Sequence, residues 1–439
     1  MSKDLTKVSE IIEEISMGPF GSDIKVDNFV ETGVPVLNGA NLPKFKLLEE
    51  EFRYVTIDKA KTFRKAIAKR GDIVITHRGT LGQISYIPDN SKFKEYVISQ
   101  SQFRVALNRQ LVDPAFFVYY FHTTEGQKRL LANKCHVGVP ALAQATTNFR
   151  LIEIPLPSLP TQKKIANLLS SLDSKIELNN RINAELEAMA KTLYDYWFVQ
   201  FDFPDKNGKP YKTSGGKMVW NDKMNREIPE GWEVKLFSDW INNDKSGDWG
   251  KEQIEGNYTE KVFCIRGADI NGLNGLGELK SPERYILEKN LHKTLDPADL
   301  IVEISGGSPT QSTGRLAFIT EETLARFDAP IICSNFCKAV TLKNKKQLFN
   351  FVYHWKSIYD AGVLFGYEGK TSGIKNLLFE SFVSSHYTVV PEMSATNKFY
   401  DFMEQLESKK QKNLKENQKL TELRDWLLPM LMNGQVKVS

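Results

Sequence analysis

Residues 172–193, LDSKIELNNRINAELEAMAKTL, return in altered form as residues 406–427, LESKKQKNLKENQKLTELRDWL. At a constant offset of 234 residues the two stretches share Leu172, Asn179, Asn183, Leu186 and Leu193. The seam positions recur at alternating steps of three and four residues, which is the spacing of one face of a long α-helix. The sequence therefore predicts two related long helices, each with two asparagines in an otherwise largely apolar seam.

The repeat extends into the regions before these helices. Three short motifs recur in the same order at offsets of 229, 228 and 227 residues. They are Gly18-Pro19-Phe20-Gly21 with Gly247-Asp248-Trp249-Gly250, Asn38-Gly39-Ala40-Asn41 with Arg266-Gly267-Ala268-Asp269, and Gly71-Asp72-Ile73-Val74-Ile75 with Ala298-Asp299-Leu300-Ile301-Val302. Matches in the same order predict a pseudo-twofold repeat, in which each copy is a globular region followed by a long helix.

Short β-like runs, turns rich in Gly, Pro and Asn, and helical stretches predict an α+β fold with mixed strands and helices in each globular region. We expect a first globular domain at 1–157, a central helix at 158–200, an extended crossover linker at 201–230, a second globular domain at 231–392 and a C-terminal helix at 393–439. We favour an antiparallel coiled coil of the two helices. The alternative is that each helix packs only on its own domain.

Composition limits the classes of protein without identifying one. The 439 residues are 41% hydrophobic, no apolar run approaches the roughly 18 residues of a membrane span, and the first residues lack a signal-peptide core. Four cysteines without a CxxC spacing are typical of a cytoplasmic protein. Residues 1–160 hold 21 Lys and Arg against 17 Asp and Glu, whereas residues 231–395 hold 18 against 21. Nucleic-acid binding would therefore depend on local clusters rather than on bulk charge.

One such cluster comprises Lys61, Arg64, Lys65, Lys69 and Arg70, uninterrupted by acidic residues. We expect the first four to share a helix face, which could also be an ordinary solvated surface.

Catalytic motifs are incomplete throughout the sequence. Gly369-Lys370-Thr371 resembles the end of a phosphate-binding loop, but Leu364 occupies the position that requires glycine. No Asn/Asp-Pro-Pro-aromatic tetrapeptide of DNA methyltransferases is present, and the six histidines have no metal-ligand spacing. We therefore predict a non-catalytic recognition protein that binds no cofactor and no metal itself. Two rival hypotheses are a single-chain DNA-modifying enzyme and a coiled-coil scaffold without a nucleic-acid role.

Polar loops between the strand-like runs are the candidate DNA-binding elements, because glycine-flanked donors can approach a groove and arginine can contact guanine with two hydrogen bonds. The alternative is that they are solvated surface loops. In the first copy the candidates are His77, Arg78, Thr80, Gln83, Lys134, His136 and Gln144. In the second copy they are Ser308, Thr310, Gln311, Arg315, Lys370, Thr371 and Lys375.

Taken together, these motifs resemble the DNA-specificity subunit of type I restriction–modification enzymes. The resemblance covers essentially the whole chain and is carried by Gly18-Pro19-Phe20-Gly21-Ser22, Arg78-Gly79-Thr80-Leu81-Gly82, Ile154-Pro155-Leu156-Pro157, Ile228-Pro229-Glu230-Gly231-Trp232 and the ending Leu423-Arg424-Asp425-Trp426-Leu427-Leu428-Pro429. The second copy departs from the Arg78-Gly79-Thr80-Leu81-Gly82 pattern between Ser305 and Gly314.

The resemblance implies two target-recognition domains, separated by two helices in an antiparallel coiled coil, that recognise an asymmetric bipartite site in double-stranded DNA. It also implies assembly with two methyltransferase subunits and two restriction–translocase subunits, which carry out adenine methylation and cleavage. AdoMet, ATP and Mg²⁺ would then be bound by those partners.

Overall fold

The computed structural model describes residues 5–19, 23–135, 138–306, 310–371 and 373–438. The chain divides into two compact units: unit 1 comprises Met1–Lys175 with Lys419–Ser439, and unit 2 comprises Ile176–Gln418. The first long helix spans Leu159–Tyr194 and is followed by a π-helical turn at Asp195–Val199, and the second long helix spans Met393–Met432. Each unit therefore contains part of both long helices.

Unit 1 is built on two sheets. The four-stranded sheet is antiparallel, with spatial order Ile12–Met17, Gln102–Leu107, Ile73–Thr76 and Ile84–Tyr86. The mixed five-stranded sheet has the order Phe29–Val30, Arg53–Val55, Val34–Val36, Glu95–Val97 and Ile67–Lys69. Two further pairs are Leu5–Lys7 with Glu153–Pro155 and Lys134–Cys135 with Ala141–Leu142. The shorter α-helices are Ile57–Thr62, Pro114–Phe121, Thr124–Leu130 and Ala145–Arg150.

The strand Ile73–Thr76 contributes side chains to two hydrophobic cores, one on each face of the four-stranded sheet. Successive side chains of a strand point to opposite faces, and Ile73 and Ile75 are buried with the helix Pro114–Phe121. Val74 is buried on the other face in the core of the five-stranded sheet. An unbroken apolar run is therefore accommodated by burial on both faces.

Unit 2 repeats the four-stranded antiparallel sheet in the order Ile241–Ser246, Cys337–Leu342, Asp299–Glu303 and Leu316–Phe318. Its other sheets are Glu283–Leu287, Tyr258–Ile265 and Ile331–Cys333; Ser305–Gly306, Ile374–Leu377 and Glu368–Thr371; Met218–Asn221 with Arg226–Pro229; and Glu233–Leu236 with Tyr387–Val390. The shorter α-helices are Ile270–Leu273, Glu321–Leu324, Leu348–Asp360 and Phe379–Val383. Leu300 and Val302 enter one core and Ile301 another, as in unit 1.

The two long helices contact each other within each unit and run antiparallel. In unit 2, Asn179 Nδ2 donates to Asn417 Oδ1 at 2.9 Å and Asn413 Nδ2 donates to Asn183 Oδ1 at 2.8 Å. In unit 1, Arg424 Nη1 donates to Asp173 Oδ1 at 2.8 Å. The residue number rises along one helix as it falls along the other, and this pairing explains why the two asparagines have the same spacing in both helices.

Two sequence-based expectations of local structure are wrong. The segment 201–230 is not an extended linker, because it contains the hairpin Met218–Asn221/Arg226–Pro229 and buries Phe201 and Phe203 against Trp232. The lysines and arginines between 61 and 70 do not share a helix face, because the helix ends at Thr62 and the chain continues through a 3₁₀ turn into the strand Ile67–Lys69.

Candidate nucleic-acid interface

In unit 1 the candidate residues lie on two adjoining segments. Loop 1 (residues 77–82) joins the antiparallel strands Ile73–Thr76 and Ile84–Tyr86, and hairpin 1 (residues 134–142) follows later in the chain. Leu142 N donates to His77 O at 2.8 Å and Gly79 N donates to Pro140 O at 2.9 Å. Backbone hydrogen bonds therefore bring together the two segments that the sequence singled out separately.

Loop 1 presents Arg78 and Thr80 to solvent, and both side chains are exposed. Between them Gly79 has a φ of +90°, in the left-handed region that favours glycine, and no other atom lies where its Cβ would be. Lys134 and Gln144 are exposed as well. His136 lies outside the described residues. Four donor-bearing side chains of unit 1 are thus accessible to a ligand.

His77 is half-buried, and its Nε2 lies 3.1 Å from the carbonyl oxygen of Gln100. Burial lowers the pKa of His77, with a smaller contribution from the neighbouring Arg78. The imidazole is therefore neutral near pH 7 and does not add positive charge to the loop.

Gln83, which the sequence predicts as a DNA contact, is hydrogen-bonded within the protein. Its Nε2 donates to Gly39 O at 2.9 Å, and its Oε1 accepts a hydrogen bond from Thr76 Oγ1 at 3.0 Å. Both ends of the amide are used within the protein, so Gln83 holds the base of loop 1 instead of presenting a free amide. Thr76 and Gln83 are called the unit 1 anchor below.

An open cleft of about 850 Å³ lies beside loop 1. His77, Arg78, Lys65, Gln100 and Thr146 contribute to its lining. Sequence reasoning did not select Gln100, which comes from a strand connection with no motif of its own. Thr146 belongs to the donor-rich segment Gln144–Asn148, although it was not singled out within that segment. Lys65 belongs to the basic cluster, which was the available signal for it.

In unit 2 the corresponding segments are loop 2 (residues 304–314) and hairpin 2 (residues 368–377). Leu377 N donates to Ile304 O at 2.9 Å, in the same way that Leu142 N donates to His77 O in unit 1. Ser305 therefore occupies the position of Arg78, and its Oγ donates to Asn376 Oδ1 at 2.6 Å. Thr310 and Gln311 are exposed. Ser308 lies outside the described residues, as do the side chains of Lys370 and Thr371.

Arg315, which the sequence predicts as a DNA contact, forms an ion pair within the protein. Its Nε and Nη2 donate to Glu303 Oε2 and Oε1 at 2.8 and 2.6 Å, a bidentate ion pair. The side chains of Arg315 and Glu303 are only 17% and 6% exposed. The guanidinium is therefore committed to an internal carboxylate. Glu303 and Arg315 are called the unit 2 anchor below.

Lys375 is likewise placed in an internal ion pair. Its Nζ lies 3.1 Å from Glu368 Oε2 and 5.0 Å from the centre of the Phe365 ring. This pairing ties two strands of hairpin 2 together, and it explains why a lysine in a donor-rich segment is only partly exposed.

The two anchors occupy equivalent places in the two units. Thr76 N donates to Gln83 O at 3.0 Å, one residue beyond the Ile75–Ile84 pair, and Glu303 N donates to Arg315 O at 2.9 Å, one residue beyond the Val302–Leu316 pair. A Cβ added at Gly39 would approach Gln83 Oε1 to 3.1 Å, and one added at Gly267 would approach Glu303 Oε1 to 2.8 Å. The glycine shared by the Asn38–Asn41 and Arg266–Asp269 motifs leaves room for the anchor in each unit.

Among the described residues, no group of three or more His, Cys, Asp or Glu side chains could hold a metal ion. Within the same part of the chain, no helix is long and apolar enough to cross a membrane.

The sequence is similar to those of known proteins. Residues 23–188 match the family model described as the type I restriction modification DNA specificity domain. The chain is 24% identical to the type I restriction enzyme MjaIX specificity subunit of Methanocaldococcus jannaschii, over 99% of this chain and 94% of that protein. It is 23% identical to the HindI specificity subunit of Haemophilus influenzae, over 97% and 99% of the two chains. The chain is therefore similar over nearly its whole length to specificity subunits of type I restriction enzymes, and its residues 23–188 match the DNA specificity domain of that family.

The fold agrees with that of a solved specificity subunit. The crystal structure of the S subunit from M. genitalium matches with a TM-score of 0.57 and 15% identity, over 98% of this chain and 96% of that one.

Proposed function

We propose that this specificity subunit is non-catalytic and reads an asymmetric, bipartite DNA site, with one half-site read by each unit. The observation that carries the proposal is the equivalent placement of loop 1 with hairpin 1 and of loop 2 with hairpin 2. Two recognition elements in one protein can bind two separate half-sites on the same DNA duplex. Because Arg78 is replaced by Ser305 at the equivalent position, the two half-sites should differ in sequence.

Within unit 1 the strongest candidate for direct base contact is Arg78. Its guanidinium is exposed beside a cleft, it has no ion-pair partner among the described residues, and arginine pairs with guanine O6 and N7. Thr80, Lys134 and Gln144 would contact phosphates or bases nearby. In unit 2, Thr310, Gln311, Lys370 and Thr371 remain the proposed contacts.

The long helices would form the antiparallel coiled coil that joins the two halves of the pseudo-twofold repeat. The asparagine pairs support this proposal, since buried asparagine in a helical seam fixes register at a cost in stability. The partners would be two methyltransferase subunits and two restriction–translocase subunits, which would direct adenine methylation and cleavage to the recognised site. AdoMet, ATP and Mg²⁺ would be bound by those partners.

Arg78→Ala tests the reading of one half-site. Loss of a bidentate guanine contact should cost about 1–3 kcal/mol at one base and relax specificity there. The chain would be co-expressed with its cognate methyltransferase, and methylated bases would be mapped across the host genome. One position of one half-site should become degenerate, while the other half-site stays unchanged.

Arg109→Ala is the matched control, because Arg109 is a half-exposed arginine of unit 1 that pairs with Asp89 at 2.7 Å away from the cleft. A uniform loss of methylation over all sites in the Arg78 variant would make Arg78 a phosphate contact. Degeneracy in both half-sites would contradict the assignment of one half-site to each unit. Methyl transfer to DNA by the purified chain with AdoMet would contradict the non-catalytic role.

A further inference from the structure

A second cavity lies inside unit 2, away from loop 2 and hairpin 2. Its volume is about 180 Å³. The end of the first long helix, the hairpin Met218–Asn221/Arg226–Pro229, the helix Leu348–Asp360 and the strand Tyr387–Val390 surround it. We call it the Arg226 cavity, and its polar lining includes Tyr194, Arg226, Trp240, Asn350, His354 and Thr388.

The Arg226 cavity concentrates buried polar atoms that have no hydrogen-bond partner. In the described part of the chain nine such side-chain atoms occur, and five of them belong to residues that line this cavity. They are Arg226 Nε, Trp240 Nε1, Asn350 Nδ2, Asn350 Oδ1 and His354 Nε2. Buried polar groups in native proteins are nearly always satisfied by protein, water or a ligand. Four of these five atoms are nitrogens, and a shared partner that accepts hydrogen bonds could satisfy them; the fifth, Asn350 Oδ1, is an acceptor.

The charge of the lining favours an anionic partner. Arg226 is the cationic side chain of the cavity, and no carboxylate belongs to the described lining. Its guanidinium lies 4.7 Å from the centre of the Phe201 ring and forms no ion pair with a described residue. A guanidinium held on an aromatic ring without a carboxylate keeps its donors available to an oxyanion.

His354 adds a neutral donor. Burial lowers the pKa of His354 to about 3, with smaller effects from His386 and Arg226, so the ring is uncharged. Tyr194 Oη lies 3.1 Å from Nδ1, and burial raises the pKa of Tyr194, so the hydroxyl keeps its proton. We assign that hydroxyl as the donor to Nδ1. The ring proton then sits on Nε2, the atom without a partner.

We propose that the Arg226 cavity binds a small oxyanion, a phosphate or a carboxylate, through Arg226, Trp240, Asn350 and the Nε2–H of His354. All four side chains supply N–H donors, and the positive charge of Arg226 offsets that of the ligand. The cavity far exceeds the roughly 10–15 Å³ that a single water needs. The bound ion would link the hairpin to the helix Leu348–Asp360 and so stabilise unit 2.

The test is titration of the full-length chain with inorganic phosphate and, separately, with acetate, at constant ionic strength set by sodium chloride. Isothermal calorimetry and the thermal midpoint are recorded together. One equivalent of phosphate or acetate should bind saturably and raise the thermal midpoint. The anion that binds shows whether the cavity takes a phosphate or a carboxylate. Arg226→Gln should weaken binding at least tenfold.

Arg284→Gln is the matched control, because Arg284 also has a buried Nε without a partner but lies outside the cavity and pairs with Glu252 at 3.4 Å. It should bind the anion like the natural chain. Asn350→Asp places a carboxylate in the lining of the cavity that Arg226 also lines. It should raise the midpoint in the absence of added anion and abolish the response to phosphate and acetate.

Equal binding by the natural chain and Arg226→Gln would overturn the proposal, because the response would then arise elsewhere. Absence of binding of either anion, together with an unchanged midpoint for Asn350→Asp, would show that water alone satisfies the cavity.

Discussion

At the base of loop 1, a hydroxyl and an amide meet, since Thr76 Oγ1 donates to Gln83 Oε1. At the equivalent place below loop 2, a carboxylate and a guanidinium meet, since Arg315 donates twice to Glu303. The backbone pairing is the same in both units, and the glycines Gly39 and Gly267 leave the same space. Each loop is thus held at its base by a matched pair of side chains. Replacing one member of a pair with its equivalent from the other unit would leave a mismatched pair.

The two anchors should differ in their tolerance of substitution. A neutral anchor that loses one member leaves a hydroxyl or an amide unsatisfied, which is a modest cost. An ionic anchor that loses one member leaves an uncompensated buried charge, which is a much larger cost. Loop 2 should therefore depend more strongly on its anchor than loop 1 does.

The largest expected effect is that of Arg315→Gln. The carboxylate of Glu303 would remain buried without its partner, and breaking a buried ion pair in this way costs about 3–5 kcal/mol. Native-state hydrogen exchange of the strands Asp299–Glu303 and Leu316–Phe318 would measure the loss, because it reports on unit 2 without requiring two-state unfolding of the whole chain.

The rescue variant is Glu303→Thr with Arg315→Gln, which recreates the unit 1 anchor in unit 2. It should recover most of the protection that Arg315→Gln loses. If the double variant is no better than the single one, the two anchors are not equivalent.

Unit 2 contains a second cluster of buried charges, which includes Lys410 of the second long helix. The equivalent position of the first long helix is the apolar Ile176, so the first helix has no lysine there. Lys410 Nζ lies 2.5 Å from Glu187 and 2.8 Å from Glu407, and Lys356 Nζ lies 2.8 Å from Glu187. Burial opposes ionisation of Glu187, but Lys356 and Lys410 outweigh it and lower the pKa to about 2. Burial raises the pKa of Glu407, so Glu187 is the carboxylate of this cluster whose ionisation favours the folded state.

Glu187→Gln should therefore change the pH dependence of stability. The folded-state pKa lies below the ordinary value of 4.5, so the contribution is present above pH 4.5 and is lost as the pH falls towards 2. At neutral pH the natural chain should exceed the variant by up to about 3 kcal/mol. Urea unfolding from pH 7 to pH 3 should show the gap narrowing below pH 4.5, and a constant gap would contradict the assignment.

The repeated helices and loops could be predicted from the sequence, whereas it could not be predicted which side chains of those loops are available to a ligand. Asn179 and Asn183 form hydrogen bonds with Asn417 and Asn413. The periodicity predicts this pairing, because residues at seam positions all lie on the one face of the helix that packs against another element. Arg315 could not be assigned in the same way. Its partner Glu303 lies across a loop of eleven residues, and the register that joins them depends on strand pairing, which loop composition does not encode.

Burial of the segment 201–230 was missed for a different reason. Its Gly, Pro, Lys and Asp residues indicated a linker, but Phe203 stacks on Trp232 and Phe201 packs edge-on against the same ring. Aromatic residues at both ends of a polar segment were the signal available, since each large ring gains by leaving water.

A smaller effect is expected for Gln83→Ala in unit 1. Two neutral hydrogen bonds are lost, to Thr76 and to Gly39, and together they should contribute about 1–2 kcal/mol. Hydrogen exchange of the strands Ile73–Thr76 and Ile84–Tyr86 would measure the loss beside that of Arg315→Gln. A loss as large as that of Arg315→Gln would remove the contrast between the neutral and ionic anchors.

The smallest expected effect is that of Ala298→Gly, at the start of the equivalent strand in unit 2. Gly71 and Ala298 occupy equivalent positions of the repeat, and both have positive φ, +88° and +75°. An alanine in the left-handed region costs about 1–2 kcal/mol, so Gly71→Ala should destabilise unit 1 by that amount. Ala298→Gly relieves the strain in unit 2, but glycine adds about 0.5–1 kcal/mol of unfolded-state entropy. A net gain of at most about 1 kcal/mol in hydrogen exchange is expected. A loss in the Ala298 variant would show that packing of the methyl group of this residue, which is 9% exposed, outweighs the backbone strain.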